Sequence, residues 1–156
     1  MQTYPTGYAQ SHRMAEHIFR DILPRRGMAV REEQIALCHE ILDTLYNKEI
    51  SLCEAGVGIG KTLAYLVACV LWQMNRPDRL KLPVVISTSS VVLQDAIIND
   101  YLPNLSAILL EEGIIQAPLT AVIRKGKERF VCDARLAERA SLVHPKRTRE
   151  KGSLRI

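Results

Sequence analysis

The segment from Ala55 to Thr62 constrains this chain most, because glycine occupies every second position ahead of a lysine and a threonine. It reads Ala-Gly-Val-Gly-Ile-Gly-Lys-Thr, which matches the Walker A phosphate-binding pattern with alanine in place of the first glycine. Glycines let a backbone take positive φ angles and curl into a concave nest of N–H groups. The sequence therefore predicts a loop that binds nucleotide phosphates. The alternative is a glycine-rich turn that only joins a strand to a helix.

The residues on either side of the loop fit this prediction. Glu49 to Glu54 alternates apolar and polar residues, as a strand does, and Lys61 to about Met74 forms a strongly apolar helical pattern. In that setting Lys61 supplies a charge to the β- and γ-phosphates, and Thr62 offers a hydroxyl to Mg²⁺. We predict that the nucleotide contacts Ala55, Gly56, Val57, Gly58, Ile59, Gly60, Lys61 and Thr62, with Lys61 and Thr62 as the catalytic pair.

The rest of the chain alternates between the two kinds of periodicity. Helical spacing ends at Pro24 in one segment and at Pro103 in another, where we expect the proline to terminate the helix. Strand, helix, strand, helix, strand is typical of a parallel α/β sheet with crossover helices, and we predict that fold class. Further helices are predicted over 11–23, 31–47, 91–101 and 105–113, and further strands over 84–86 and 119–123.

The charge of the chain is unevenly distributed. The net charge is +4 overall, but residues 124–156 carry eleven Lys/Arg and four Asp/Glu, which gives +7. Such a basic segment favours a nucleic-acid partner, because phosphate contacts supply most non-specific affinity. For the run 146–151 alone, a solvated tail is the favoured interpretation, since short charged runs are common.

The four cysteines and the apolar runs indicate the cellular setting. Cys38, Cys53 and Cys69 lie in apolar periodic segments, which predicts reduced core thiols and no disulfide framework. No stretch reaches the roughly 18 apolar residues that a membrane span needs, and the N-terminus lacks the apolar region of an export signal. We therefore expect a cytoplasmic protein with no membrane partner.

Two polar features outside the loop suggest further contacts. Gln34 precedes the loop, and a carboxamide can donate to and accept from adenine at once; the alternative is a surface residue of an amphipathic helix. The hydroxyls of residues 87–90 follow a predicted parallel strand, at the sheet edge where ligands bind. They could hold a DNA backbone, while capping of the next helix by Ser89 or Ser90 is the simpler interpretation.

Four segments, taken in order, carry a family resemblance over roughly residues 15–139. They are the Arg31/Gln34 pair, EAGVGIGKT at 54–62, VISTSSVVLQ at 85–94 and KGKERFVC at 125–132. Together they resemble the DinG/XPD-like branch of the superfamily-two helicases. The resemblance implies a RecA-like P-loop domain and an ATP-dependent helicase that moves 5′ to 3′ on single-stranded DNA.

The resemblance also assigns roles to individual residues. It implies that Arg31 and Gln34 contact the nucleotide, with Gln34 at the adenine. It implies that Thr88 and Gln94 contact the DNA strand, and the hydroxyl cluster adds Ser87 to these predicted DNA contacts. Cys132 matches the first of four cysteines that ligate a [4Fe–4S] cluster in many members, so it is a candidate ligand in the full-length protein. We expect no cluster in this chain alone, because Cys38, Cys53 and Cys69 belong to other segments.

The chain departs from the family pattern in several places. Val57 and Ile59 replace two threonines of the loop, Lys127 and Phe130 replace an arginine and a tyrosine, and no Asp-Glu dipeptide occurs, so the DEAH box is missing. We expect residues 1–142 to be the N-terminal portion of a helicase ATP-binding domain, and 143–156 a basic, detachable tail that starts the insert region. The isolated chain should be inactive, and no oligomer is inferred.

Two other classes of function stay open. The first is a stand-alone nucleotide- or DNA-binding module without motor activity. The second is a small P-loop kinase, which is weaker because neither VISTSSVVLQ nor KGKERFVC has a role in such an enzyme.

Overall fold

The computed structural model describes residues 7–76, 83–126, 129 and 131–143. The described residues up to Ala121 form one compact unit, and those from Val122 onward form a second. The α-helices of the described residues are α1 (Tyr8–His17), α2 (Leu23–Arg25), α3 (Glu32–Asn47), α4 (Lys61–Asn75), α5 (Val91–Ala96), α6 (Leu102–Glu111) and α7 (Asp133–Val143). None of these helices is long and apolar enough to span a membrane.

Three helices, α1, α3 and α4, pack against one another and form most of the core. Helix α3 buries one stripe at three- and four-residue spacing, as its sequence predicts, and α4 buries residues on more than one side because almost all of it is apolar. The buried residues of these two helices are Gln34, Ile35, Cys38, Leu42 and Tyr46 on α3 and Ala64, Leu66, Val67, Ala68 and Leu71 on α4.

Two prolines that were expected to terminate helices lie inside them. A π-helical turn, Ile18–Ile22, joins α1 to α2 and its Pro24, and a second, Ile97–Tyr101, joins α5 to α6 and its Pro103. An α-helix would place each proline ring against the carbonyl four residues earlier. In both places the chain instead takes the wider π register, which ends two residues before the proline. The helix that begins at Val91 therefore continues to Glu111, and the prediction of a helix end at Pro103 was wrong.

The predicted strands do not form in the part of the chain that the structure describes. Residues 49–54, 84–86 and 119–123 have no regular secondary structure. Ile50 and Leu52, which alternation assigned to a buried sheet face, are fully exposed, and Val85 and Val122 are 84% and 87% exposed. A strand is stable only when its backbone groups pair with a neighbour, and an alternating pattern does not supply that neighbour. The described structure is helical, so the predicted α/β class with a parallel sheet is wrong.

Candidate functional site

The glycine-rich segment is the turn that leads into α4. Gly58 and Gly60 have φ angles of +87° and +88°, and Gly60 is the N-terminal cap residue of the helix. These left-handed angles cost other residue types roughly 1–2 kcal/mol, which explains glycine at both positions. The side chain of Val57 is fully exposed, and that of Ile59 is half-buried. Val57 and Ile59, which stand where the family pattern has threonine, therefore leave the backbone of the loop undisturbed.

The N–H groups of the loop point to no internal partner. Among the described residues, Leu63 and Ala64 donate their N–H groups to the Gly60 carbonyl, but those of residues 58–62 donate no hydrogen bond. The N-terminus of a helix carries a partial positive charge and attracts anions. The loop and the first turn of α4 therefore present a set of free donors at the positive end of a helix.

Lys61 and Thr62, the predicted catalytic pair, begin α4. The Lys61 ammonium donates to the carbonyls of Ala55 and Gly56 at 3.0 and 2.7 Å, so it crosses the loop. Burial raises the pKa of Tyr65, three residues further along the helix, and the neighbouring Thr62 side chain opposes that shift. Sequence reasoning missed this contact of Tyr65, although the three-residue spacing places both on one helix face.

Arg31 and Gln34 reach the same loop from α3. Arg31 donates from Nη1 to the Gly58 carbonyl, and Gln34 donates from Nε2 to the Gly60 carbonyl at 2.8 Å. Gln34 is only 7% exposed, so its interpretation as a surface residue of an amphipathic helix was wrong. The structure thus brings all the predicted nucleotide-binding residues together. It places the Gln34 amide on the loop backbone, a contact that could not be expected from the residue pattern alone.

The hydroxyl-rich segment before α5 is organised differently. The Ser90 side chain accepts a hydrogen bond from the Leu93 N–H at 3.2 Å, which confirms capping by Ser90. The Thr88 hydroxyl accepts from the Ser90 N–H at 3.1 Å, and Gln94 donates to the Thr88 carbonyl at 3.2 Å. Ser87 is exposed. Thr88 and Gln94, two of the predicted DNA-binding residues, therefore hold the turn in shape.

The cysteines follow their sequence pattern only in part. Cys38 is buried, Cys69 is half-buried, and both Cys53 and Cys132 are exposed free thiols, so Cys53 is not the core residue that was expected. Burial raises the pKa of Cys69 to about 11, which makes that thiol unreactive.

Cys132 lies directly before α7, and its carbonyl accepts from the Leu136 N–H at 2.9 Å. An iron–sulfur cluster needs about four thiolates, and no group of three metal-ligating side chains occurs in the described residues. Lys127, Phe130 and the basic run 146–151 lie outside the described residues.

Comparison with known proteins adds independent information. The chain is 33% identical over 117 residues to the 3'-5' exonuclease DinG of Bacillus subtilis, covering 75% of this chain and 11% of that protein. It is 35% identical over 63 residues to the probable ATP-dependent helicase YpvA of the same species, which covers 40% of this chain and 10% of YpvA. The 3'-5' exonuclease DinG of Staphylococcus aureus is 29% identical over 92 residues, or 59% of this chain and 10% of that protein.

The chain spans about a tenth of the length of each of these relatives. No protein-family signature matches it, and no solved structure matches it at a significant level.

Proposed function

We propose that this chain, which is related to the DinG-like helicases, binds Mg·ATP through residues 55–62 as part of an ATP-dependent DNA helicase. The observation that carries this proposal is the set of free N–H groups at the start of α4, beside Lys61 and Thr62. Phosphate is the ligand that such a nest of donors, a helix N-terminus and a lysine favour together.

Each residue of the site has a distinct task in this proposal. The N–H groups of the loop donate to the phosphate oxygens, and the Lys61 ammonium turns from the carbonyls of Ala55 and Gly56 to the same oxygens. Thr62 offers its hydroxyl to Mg²⁺, which would neutralise phosphate charge when bound. Arg31 and Gln34 complete the site from α3.

DNA is the proposed macromolecular partner. One of the relatives is named an ATP-dependent helicase and two are named exonucleases. The described residues after Ile123 add a basic surface, with five exposed or half-exposed cations, Arg124, Lys125, Arg129, Arg135 and Arg139. Ser87, Thr88 and Gln94 are the proposed contacts of the first unit. Affinity resting on such contacts should be sequence-tolerant and should fall as salt rises.

Hydrolysis and cluster binding are proposed only for a longer protein. Phosphoryl transfer needs a metal-holding acidic residue and a water-positioning group in addition to the loop, and the sequence contains no Asp-Glu dipeptide. We therefore expect the 156-residue chain to bind ATP without motor-like turnover. Cys132, exposed at the start of α7, would need further ligands to hold a cluster.

Calorimetric titration with Mg·ATP tests the nucleotide site. We expect the purified chain to bind, and Lys61→Ala to weaken binding by about 1.5–3 kcal/mol, because it removes a charge-assisted contact. Arg13→Ala is the matched control, since Arg13 is an exposed cation with no hydrogen bond or ion pair in the described structure. Circular dichroism establishes that each variant is folded.

The outcomes separate the open functions. A folded wild-type chain that does not bind Mg·ATP, or a Lys61→Ala variant that binds it equally well, contradicts the proposed site. Binding of nucleotide with no binding of single-stranded DNA at low salt favours the stand-alone nucleotide-binding module over the helicase segment.

A further inference from the structure

Two side chains at the start of α3 are hydrogen-bonded to the two glycines of the loop that have left-handed backbone angles. Arg31, the N-cap residue of α3, donates to the carbonyl of Gly58, and Gln34, three residues later, donates to the carbonyl of Gly60. Arg31 has extended backbone angles, and Gln34 lies in the first turn of α3. The start of α3 is therefore bonded to the two backbone positions where the loop has positive φ.

The contact between Gln34 and Gly60 is also tightly packed. A Cβ atom placed on Gly60 would lie 2.0 Å from Nε2 of Gln34 and 2.8 Å from its Cδ. The amide of Gln34 therefore packs directly against the Cα of Gly60, in a space that exists only because Gly60 has no side chain. By contrast, a Cβ on Gly58 would meet nothing within 4 Å.

We propose that Arg31 and Gln34 are positioning residues that fix the phosphate loop, and that Gln34 does not select the base. This inference rests on the proposed function, since it concerns the same site. Gln34 is 7% exposed and donates to Gly60 at 2.8 Å. Reading adenine requires a carboxamide free to donate and accept at once along the edge of the base, whereas this carboxamide is covered by the loop.

Hydrogen exchange in the ligand-free chain tests the positioning role without any nucleotide. The Gly60 carbonyl accepts from Gln34 and also from the N–H groups of Leu63 and Ala64. Gln34→Ala should loosen Gly60 and let the first turn of α4 open more often, so these two amides should exchange several-fold faster. Glu33→Gln is the matched control, because Glu33 is an exposed neighbour with no hydrogen bond in the described structure. Unchanged exchange in Gln34→Ala overturns the positioning role.

Titration with three ligands tests the consequence for selectivity. We expect Gln34→Ala to weaken Mg²⁺ complexes of ATP, GTP and inorganic tripolyphosphate by the same factor, about three- to tenfold, as for loss of one hydrogen bond. A loss of affinity confined to ATP would show that Gln34 reads adenine. Unchanged affinity for all three ligands would show that Gln34 neither reads adenine nor positions the loop. Either result overturns the proposal. A wild-type chain that binds none of the three refutes the proposed function, and the exchange result then decides the positioning role alone.

Discussion

The starts of α4 and α5 are two solutions to the same structural problem. Each helix follows an irregular segment, and each must deal with N–H groups that have no partner within the helix. At α5, the Ser90 side chain accepts from one such group, and the Thr88 hydroxyl accepts from the Ser90 N–H. At α4, Gly60 occupies the cap position and no side chain accepts from the helix.

The side chains around the two turns have opposite hydrogen-bonding roles. Those at α4 are donors: Arg31, Gln34 and Lys61 bind four carbonyl groups of the loop and leave its N–H groups free. Those at α5 are mainly hydroxyl acceptors, which occupy the N–H groups themselves. The comparison indicates that α5 is complete without a ligand, whereas α4 is arranged to receive an anion from outside.

The largest effect that would test this comparison is expected at Gly60. Gly60→Ala forces alanine into a left-handed conformation and places its Cβ 2.0 Å from Gln34. We expect the free energy of unfolding to fall by about 2–4 kcal/mol, the sum of backbone strain and overpacking. Urea denaturation measures this change.

Gly58→Ala is the matched control for that substitution. Its φ of +87° is nearly the same, but a Cβ there meets nothing within 4 Å, so it should cost only the conformational part, about 1–2 kcal/mol. Equal destabilisation by the two substitutions would show that the packing of Gln34 on Gly60 contributes nothing.

The helices could be predicted because their signals are local. The stripe on α3 and the apolar run of α4 specify helices from neighbouring residues alone, and both form at the expected positions. The continuation through Pro103 was missed because proline was treated as a terminator. A π-helical turn just before it, at Ile97–Tyr101, accommodates the ring, and the apolar pattern gives no signal for that register.

The strands failed for the opposite reason. Alternation at Ile50 and Leu52 is a local signal for a structure whose stability depends on a distant partner, and both side chains are exposed. The candidate site shows the same division. The spacing of glycine, lysine and threonine predicted the loop, while the contacts of Arg31 and Gln34 depend on how α3 packs beside α4.

A smaller effect is expected at the cap of α5. Ser90→Ala removes the acceptor for the Leu93 N–H and should lower the free energy of unfolding by about 1 kcal/mol, as for other N-cap serines. Ser89→Ala is the control, because Ser89 is exposed and makes no hydrogen bond among the described residues; it should change stability by less than about 0.5 kcal/mol. Urea denaturation distinguishes the two, and Mg·ATP affinity should be unchanged in both. A loss of ATP affinity in Ser90→Ala would mean that the two helix starts are not independent.

The smallest effect is expected from making the start of α5 resemble that of α4. Ser90→Gly removes the side-chain acceptor of the Leu93 N–H. Because glycine is another good cap residue, the free energy of unfolding should change by only a few tenths of a kcal/mol. We also expect no new anion site, because among the described residues no cation is bonded across the turn before α5 as Lys61 is across the loop, and only the Gln94 side chain donates to a carbonyl of that turn. Thermal unfolding of Ser90→Gly in the Lys61→Ala background, with and without pyrophosphate, measures this, because that background weakens the loop site. Pyrophosphate could raise the Tm of the double variant by more than it raises the Tm of Lys61→Ala alone. That result would show that an open helix start suffices for anion binding. The donor side chains around α4 would then not be what distinguishes it.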